Sequence, residues 1–257
     1  MVRDVFLKSA LVLSLVAALC QPAAAQSSNP GQISGWKVSC GADRGALTKQ
    51  GKTYIFRPSS NHCDGHTPWG WDQRTEIFSR KYSRNLQGRY LFETTVSLTS
   101  PSSQKFDVFQ MHDARKACAP PLKVEWGSDN RVALRSHYKV AGKGEDHCIQ
   151  NELVTANYQR KQVLKRDGTK HLLQILLDLD GHGSFSVSVL VDGRPAIQGQ
   201  YSPDLPAGVY KSVSGIRMNT PKIDRSQKIN FKHGVYAKNR FPFELRSEGM
   251  RMVRLKQ

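Results

Sequence analysis

Residues 89–98 read Arg89-Tyr90-Leu91-Phe92-Glu93-Thr94-Thr95-Val96-Ser97-Leu98. In an extended chain alternate residues share a face, so Tyr90, Phe92, Thr94, Val96 and Leu98 form one continuous buried side. A helix would scatter the same five residues around its circumference. The stretch therefore predicts a half-buried strand. Working outward, 105–112, 122–126 and 131–138 repeat the pattern. Residues 171–179 and 184–191 flank Asp180-Gly181-His182-Gly183, which reads as a hairpin, and Asp192-Gly193 marks the next turn. Residues 213–218, 227–236 and 250–255 complete the series, and only 151–164 offers a candidate helix, with a poor apolar period. Many short strands separated by turn signals predict an all-β sandwich or jelly roll of two antiparallel sheets.

The first residues have the three parts of an export signal: Arg3 and Lys8, an apolar run from Ala10 to Leu19, and Ala23-Ala24-Ala25 as small residues for cleavage. Residues 1–25 are therefore set apart as a signal peptide, and 26–257 are expected to form a single domain, periplasmic or secreted, without membrane insertion after cleavage. Cleavage removes two cations and one anion, taking the net charge from +17 to +16. A charge of that size steers polyanions by long-range attraction. For an exported chain the expected polyanion is an acidic polysaccharide and not nucleic acid. Four cysteines remain, Cys40, Cys63, Cys118 and Cys148. An even number in an oxidising compartment implies two disulfides, and chain order favours Cys40–Cys63 and Cys118–Cys148 among the three pairings. His62, Cys63 and His66 raise zinc as a rival, but no CxxC or HxxxH partner accompanies them, so no metal is expected. Asp178-x-Asp180-Gly lacks the other ligand positions of a calcium loop and reads as a hairpin turn.

Three segments carry chemistry: Arg74-Thr75-Glu76-Ile77-Phe78, Phe109-Gln110-Met111-His112, and Asn230-Phe231-Lys232-His233-Gly234-Val235-Tyr236. As strands, each has an apolar side for the sandwich interior and a polar side carrying Arg74 and Glu76, Gln110 and His112, or Lys232 and Tyr236. One polar face is ordinary. Three together offer a guanidinium, an amide, an imidazole, an ammonium and a phenol to one reaction.

These segments resemble the motifs of jelly-roll polysaccharide lyases: alginate lyases of polysaccharide lyase family seven, with relatives among glucuronan lyases and heparin lyase I. Those alginate lyases carry, in the same order, Arg-Ser/Thr-Glu-Leu, Gln-Ile/Val-His and Tyr-Phe-Lys-Ala-Gly-x-Tyr. The Phe-Lys-x-Gly-x-Tyr core is intact at 231–236, and the resemblance spans about Trp69 to Asn239. Phe78-Ser79, Asp113 and Asn230 depart from the pattern, which bears more on the choice of polymer than on the reaction. The resemblance implies a concanavalin-like β-jelly roll with a concave substrate groove, and an enzyme that cuts a uronate polymer by β-elimination without a cofactor. It implies Tyr236, His112, Gln110 and Arg74 as the catalytic set. Tyr236 would be the acid toward the leaving oxygen, and also the base when the two groups lie syn. With anti geometry His112 would take the C5 proton.

Physical chemistry gives each residue its task. The proton at C5 is acidic only if the adjacent carboxylate is held by donors that strengthen as charge develops, a task for Arg74 and Gln110 with His112. Arg74 and Lys232 are expected to lower the pKa of Tyr236. Lys232, Lys123, Arg131, Arg135 and His137 are candidates for contacting further carboxylates, and Trp69 and Trp71 for stacking on sugar faces. His62 and His66 are additional candidate imidazoles. A monomer is expected. A jelly-roll glycoside hydrolase would need a Glu-x-Asp-x-x-Glu or Glu-x-Asp-x-Glu arrangement, which is absent. A non-catalytic glycan-binding module would share fold and charge without needing Gln110, His112 and Tyr236 together.

Overall fold

The computed structural model describes residues 32–63, 72–113, 118–142, 145–158, 163–225 and 227–256. In chain order the strands are β1 (Lys37–Val38), β2 (Leu47–Gln50), β3 (Thr53–Phe56), β4 (Gln73–Phe78), β5 (Gln87–Thr99) and β6 (Phe106–His112). Next come β7 (Leu122–Trp126), β8 (Val132–Lys139), β9 (Cys148–Asn151), β10 (Val154–Asn157), β11 (Asp167–Asp180) and β12 (Phe185–Val191). The series ends with β13 (Arg194–Tyr201), β14 (Val209–Lys211), β15 (Arg217–Asn219), β16 (Asn230–Ala237) and β17 (Glu244–Arg254). A front sheet runs β1-β4-β16-β6-β7-β8-β9, a back sheet β10-β13-β12-β11-β5-β17-β3-β2, and β14 pairs with β15 alone. Every registered pair is antiparallel. This is the β-jelly-roll sandwich that the alternating pattern predicts.

The five alternate residues of β5, from Tyr90 to Leu98, are all buried. Their partners come from the inner face of the front sheet: Phe92 meets Phe109 at 4.7 Å between ring centroids, while Phe106 stacks on Trp126 at 5.6 Å. Each such side chain contributes roughly 1.5–3 kcal/mol by leaving water, so this interior defines the domain. A polar link crosses it. His233 on β16 is fully enclosed, with Nδ1 2.8 Å from the Val108 carbonyl oxygen and Nε2 2.6 Å from the Ser247 hydroxyl on β17. Both ring nitrogens are satisfied, which makes a buried imidazole tolerable.

Turn chemistry sets the connections. Between β12 and β13, Val191 pairs with Arg194, and the intervening Asp192 and Gly193 have φ of 53° and 74°. Two consecutive positive φ values match the right-handed twist of a hairpin, the geometry that an Asp-Gly pair accepts. Two expectations are corrected. Residues 213–218 are not one strand: Lys211 pairs with Arg217, so Val213 and Ile216 lie in the β14–β15 loop. The candidate helix at 151–164 is replaced, among its described residues, by the end of β9 and by β10, while 159–162 lie outside the described residues. The poor 3.6-residue period there had no apolar stripe to bury, so sheet pairing won.

Candidate active site

The outer face of the front sheet gathers the three segments, because β4, β16 and β6 are immediate neighbours. Their register places the polar side chains in rows across the sheet. In one row Lys232 stands opposite Gln110, Gln110 opposite Lys123, and Lys123 opposite Arg135. In a second row Arg74 faces Tyr236, Tyr236 faces Asp107, and Asp107 faces Glu125. His112 faces Asn230. The inner sides of the same strands, Ile77, Phe109, Met111, Phe231 and Val235, are buried in the core. Burial there fixes the side-chain alternation and so holds the polar face in place.

Arg74 lies with its guanidinium 4.4 Å from the centroid of the Tyr236 ring and its Nε 3.6 Å from Glu76 Oε2. Gln110 donates from Nε2 to the other Glu76 oxygen at 2.8 Å. Glu76, 1% exposed, therefore organises both groups from below. The phenol of Tyr236 is pushed above its ordinary pKa, chiefly by burial, with Arg74 opposing the shift and Glu76 and Asp107 adding to it. This corrects the expected lowering: desolvating a phenolate outweighs one nearby cation when two carboxylates share the site. His112 moves well below the ordinary histidine value, first through burial and then through Lys232, Lys139, Arg74 and Lys123. Its imidazole is neutral at neutral pH. Lys232 is only 8% exposed, and burial depresses its pKa. Among the described residues its ammonium has no hydrogen-bond or ion-pair partner.

The other cations divide into two kinds. Lys123 Nζ sits 2.6 Å from Asp107 Oδ2, so its charge is already engaged. Arg135, its neighbour in the row, is exposed and borders two adjoining clefts of about 500 and 390 Å³. His137 is held at a pKa of about 4 by burial and by Lys123 and Lys139, and its Nδ1 accepts a hydrogen bond from the Ala119 backbone N–H. His62 pairs with Asp43 at 2.5 Å outside these rows. His66, Trp69 and Trp71 lie outside the described residues. The cysteines pair as Cys40–Cys63 and Cys118–Cys148. Cys63 is thus bonded to carbon and sulfur and is not a thiolate available to zinc.

Sequence reasoning gave no role to two carboxylates, Asp107 and Asp113. Asp107, with a pKa raised to about 6 by burial, lies on the polar face although strict alternation from Gln110 assigns it to the interior. A bulge between Asp107 and Phe109 inserts one residue and reverses the face. Asp113, a departure from the lyase pattern, is buried in an ion-paired group with Lys139 and with Arg84, whose Nη1 is 3.5 Å away. The signal available in the sequence was the excess of cations, since any that pack away from water require a partner.

No family model matches the sequence, and no curated protein matches it either. Solved structures do. The chain is similar to the exolytic family 7 alginate lyase of Zobellia galactanivorans, with 10% identity, TM-score 0.54 and coverage of 86% of this chain and 95% of the other. It is similar to an alginate lyase of Pseudomonas aeruginosa at 13% identity and TM-score 0.50, covering 86% and 98%. Alginate lyase A1-II′, a member of polysaccharide lyase family 7, gives 12% identity and TM-score 0.50 over 88% and 96%. The class is an all-β jelly roll built from two antiparallel sheets. Within that class, the chain has the fold of the jelly-roll polysaccharide lyases.

Proposed function

We propose that this chain is an exported polysaccharide lyase, in which residues 26–257 form one monomeric domain that cleaves an acidic, uronate-containing polysaccharide by β-elimination. The observation that carries the proposal is Lys232: a buried cation with no protein partner among the described residues, on the face that holds Arg74, Gln110, His112 and Tyr236. A buried unpaired charge is costly, and a substrate carboxylate would satisfy it. The surrounding protonation states suit the reaction. Neutral His112 can take the C5 proton, electrons from that bond form the C4–C5 double bond, and the C4–oxygen bond breaks. Tyr236, which keeps its proton, delivers it to the departing oxygen. Lys232 and Arg74 stabilise the charge that builds on the carboxylate between the two transfers. These states suit His112 as base and Tyr236 as acid, because a neutral imidazole can accept a proton and a phenol that keeps its proton can give one. The two disulfides support an oxidising compartment, and the net charge of +16 on residues 26–257 supports a polyanionic substrate.

The test is a panel of polyuronates, including alginate and glucuronan, followed by the ultraviolet absorbance of the unsaturated uronate that elimination creates. Absorbance is expected with at least one polymer, and Tyr236→Phe should lower turnover roughly a hundredfold with binding largely kept. Binding without product across the panel would make the chain a glycan-binding module. Wild-type turnover in Tyr236→Phe would overturn the assignment of the acid.

A further inference from the structure

Arg74 is held on three sides before any substrate arrives. One side is the Tyr236 ring, another is the Glu76 carboxylate, and the third is the Cys40–Cys63 disulfide. Nη1 donates to Cys63 Sγ at 3.0 Å and lies 3.6 Å from Cys40 Sγ. The disulfide reaches this place because Cys40 follows β1 and Cys63 follows the Ser60–Gln73 bridge, one residue before Arg74 along β4. Cross-linking the two segments fixes a pair of sulfurs against the guanidinium.

We infer that the Cys40–Cys63 disulfide is a positioning device for Arg74, and not only a staple for the fold. This rests on the lyase assignment above. A disulfide sulfur is a weak, neutral acceptor. It can restrain the fork of N–H donors while leaving the positive charge intact for a substrate carboxylate. A second carboxylate in its place would hold the arginine more strongly but cancel the charge that catalysis uses. Restraining a long, rotamer-rich side chain in advance also moves the entropic cost of ordering it from substrate binding into folding. In the other disulfide, the Cys118 sulfur lies against the His147 carbonyl oxygen.

A double-mutant cycle on the full mature chain tests the inference, read as kcat and KM separately. Cys40→Ala/Cys63→Ala is expected to lower kcat by roughly tenfold or more, because small displacements of a positioned group are expensive in the transition state. In an Arg74→Ala background the same cysteine substitutions should cost nothing further, since the group they position is gone. Cys118→Ala/Cys148→Ala should instead be additive with Arg74→Ala. Additive losses for the Cys40–Cys63 pair would reduce that disulfide to a structural role and overturn the inference. Arg74→Ala with unaltered turnover would instead overturn the catalytic assignment, so the two failures are distinct. If the double cysteine variant does not fold, a phosphine reductant applied to folded Cys118→Ala/Cys148→Ala protein opens Cys40–Cys63 alone. A fall in kcat that tracks its opening by intact mass supports the inference, and undiminished kcat with the bond open refutes it.

Discussion

Gly234→Ala is the substitution whose outcome follows most directly from the structure. Gly234 has φ of +142°, in the region that side chains avoid, and it sits within β16 opposite Glu76 of β4. A Cβ built there would lie 2.3 Å from the Thr75 carbonyl oxygen, 2.7 Å from the Glu76 Cα and 3.1 Å from the Phe56 ring. Two of the three obstacles are backbone of the neighbouring strand, so no side-chain rotation relieves them. The chain must change its dihedral angles or push β4 away from β16. Backbone strain of this kind costs about 1–3 kcal/mol and overpacking a similar amount, giving about 2–6 kcal/mol together. For a domain of this size that lowers the midpoint of thermal unfolding by on the order of 10 °C. Separating β4 from β16 also separates Arg74 and Glu76 from Tyr236 and Lys232, so activity should fall further than stability alone requires. Calorimetry and denaturant titration measure the first effect, and turnover of the folded fraction measures the second. A variant within about 1 kcal/mol of wild type would refute the reasoning.

Acidification should destabilise the protein. His233 is held at a pKa of about 4 against an ordinary 6.5, so its contribution is whole above pH 6.5 and about 3 kcal/mol is lost as pH falls to 4. His137, also near 4, loses stability in the same window, while Asp107, raised from 3.8 to about 6, gains as pH falls and offsets roughly one histidine. A urea midpoint unchanged between pH 7 and pH 4.5 would contradict this balance. Lys123→Ala should cost about 3–5 kcal/mol because it strands the buried Asp107, whereas exposed Arg135→Ala should alter stability by less than about 0.5 kcal/mol and act on KM instead. Reversed magnitudes for that pair would mean that the two cations have been assigned the wrong tasks. Binding to a polyuronate should weaken steeply with salt, as screened attraction does, and an affinity independent of ionic strength would remove net charge as the driver.

The alternating side chains of β5, β6, β7, β11, β12 and β16 made those strands legible from sequence, because burial of one sheet face writes a two-residue period directly into the chain. The same period assigned Arg74, Gln110, His112, Lys232 and Tyr236 to polar faces. Chain order favoured the two cysteine pairs, which the structure contains. Short edge strands such as β1 and β10 left no such record, since they have too few residues to show a period and bury little. Three things depended on tertiary structure alone. The bulge that turns Asp107 outward breaks alternation through a register shift between two strands, which one strand's sequence does not encode. The upward pKa shift of Tyr236 and the downward shift of His112 come from desolvation by neighbours distant in sequence. The difference between Lys123, engaged by Asp107, and Lys232, whose ammonium has no ion pair among the described residues, arises because charges pair through space. Sequence period registers which face a residue occupies; only the packed sheets determine which groups on that face meet.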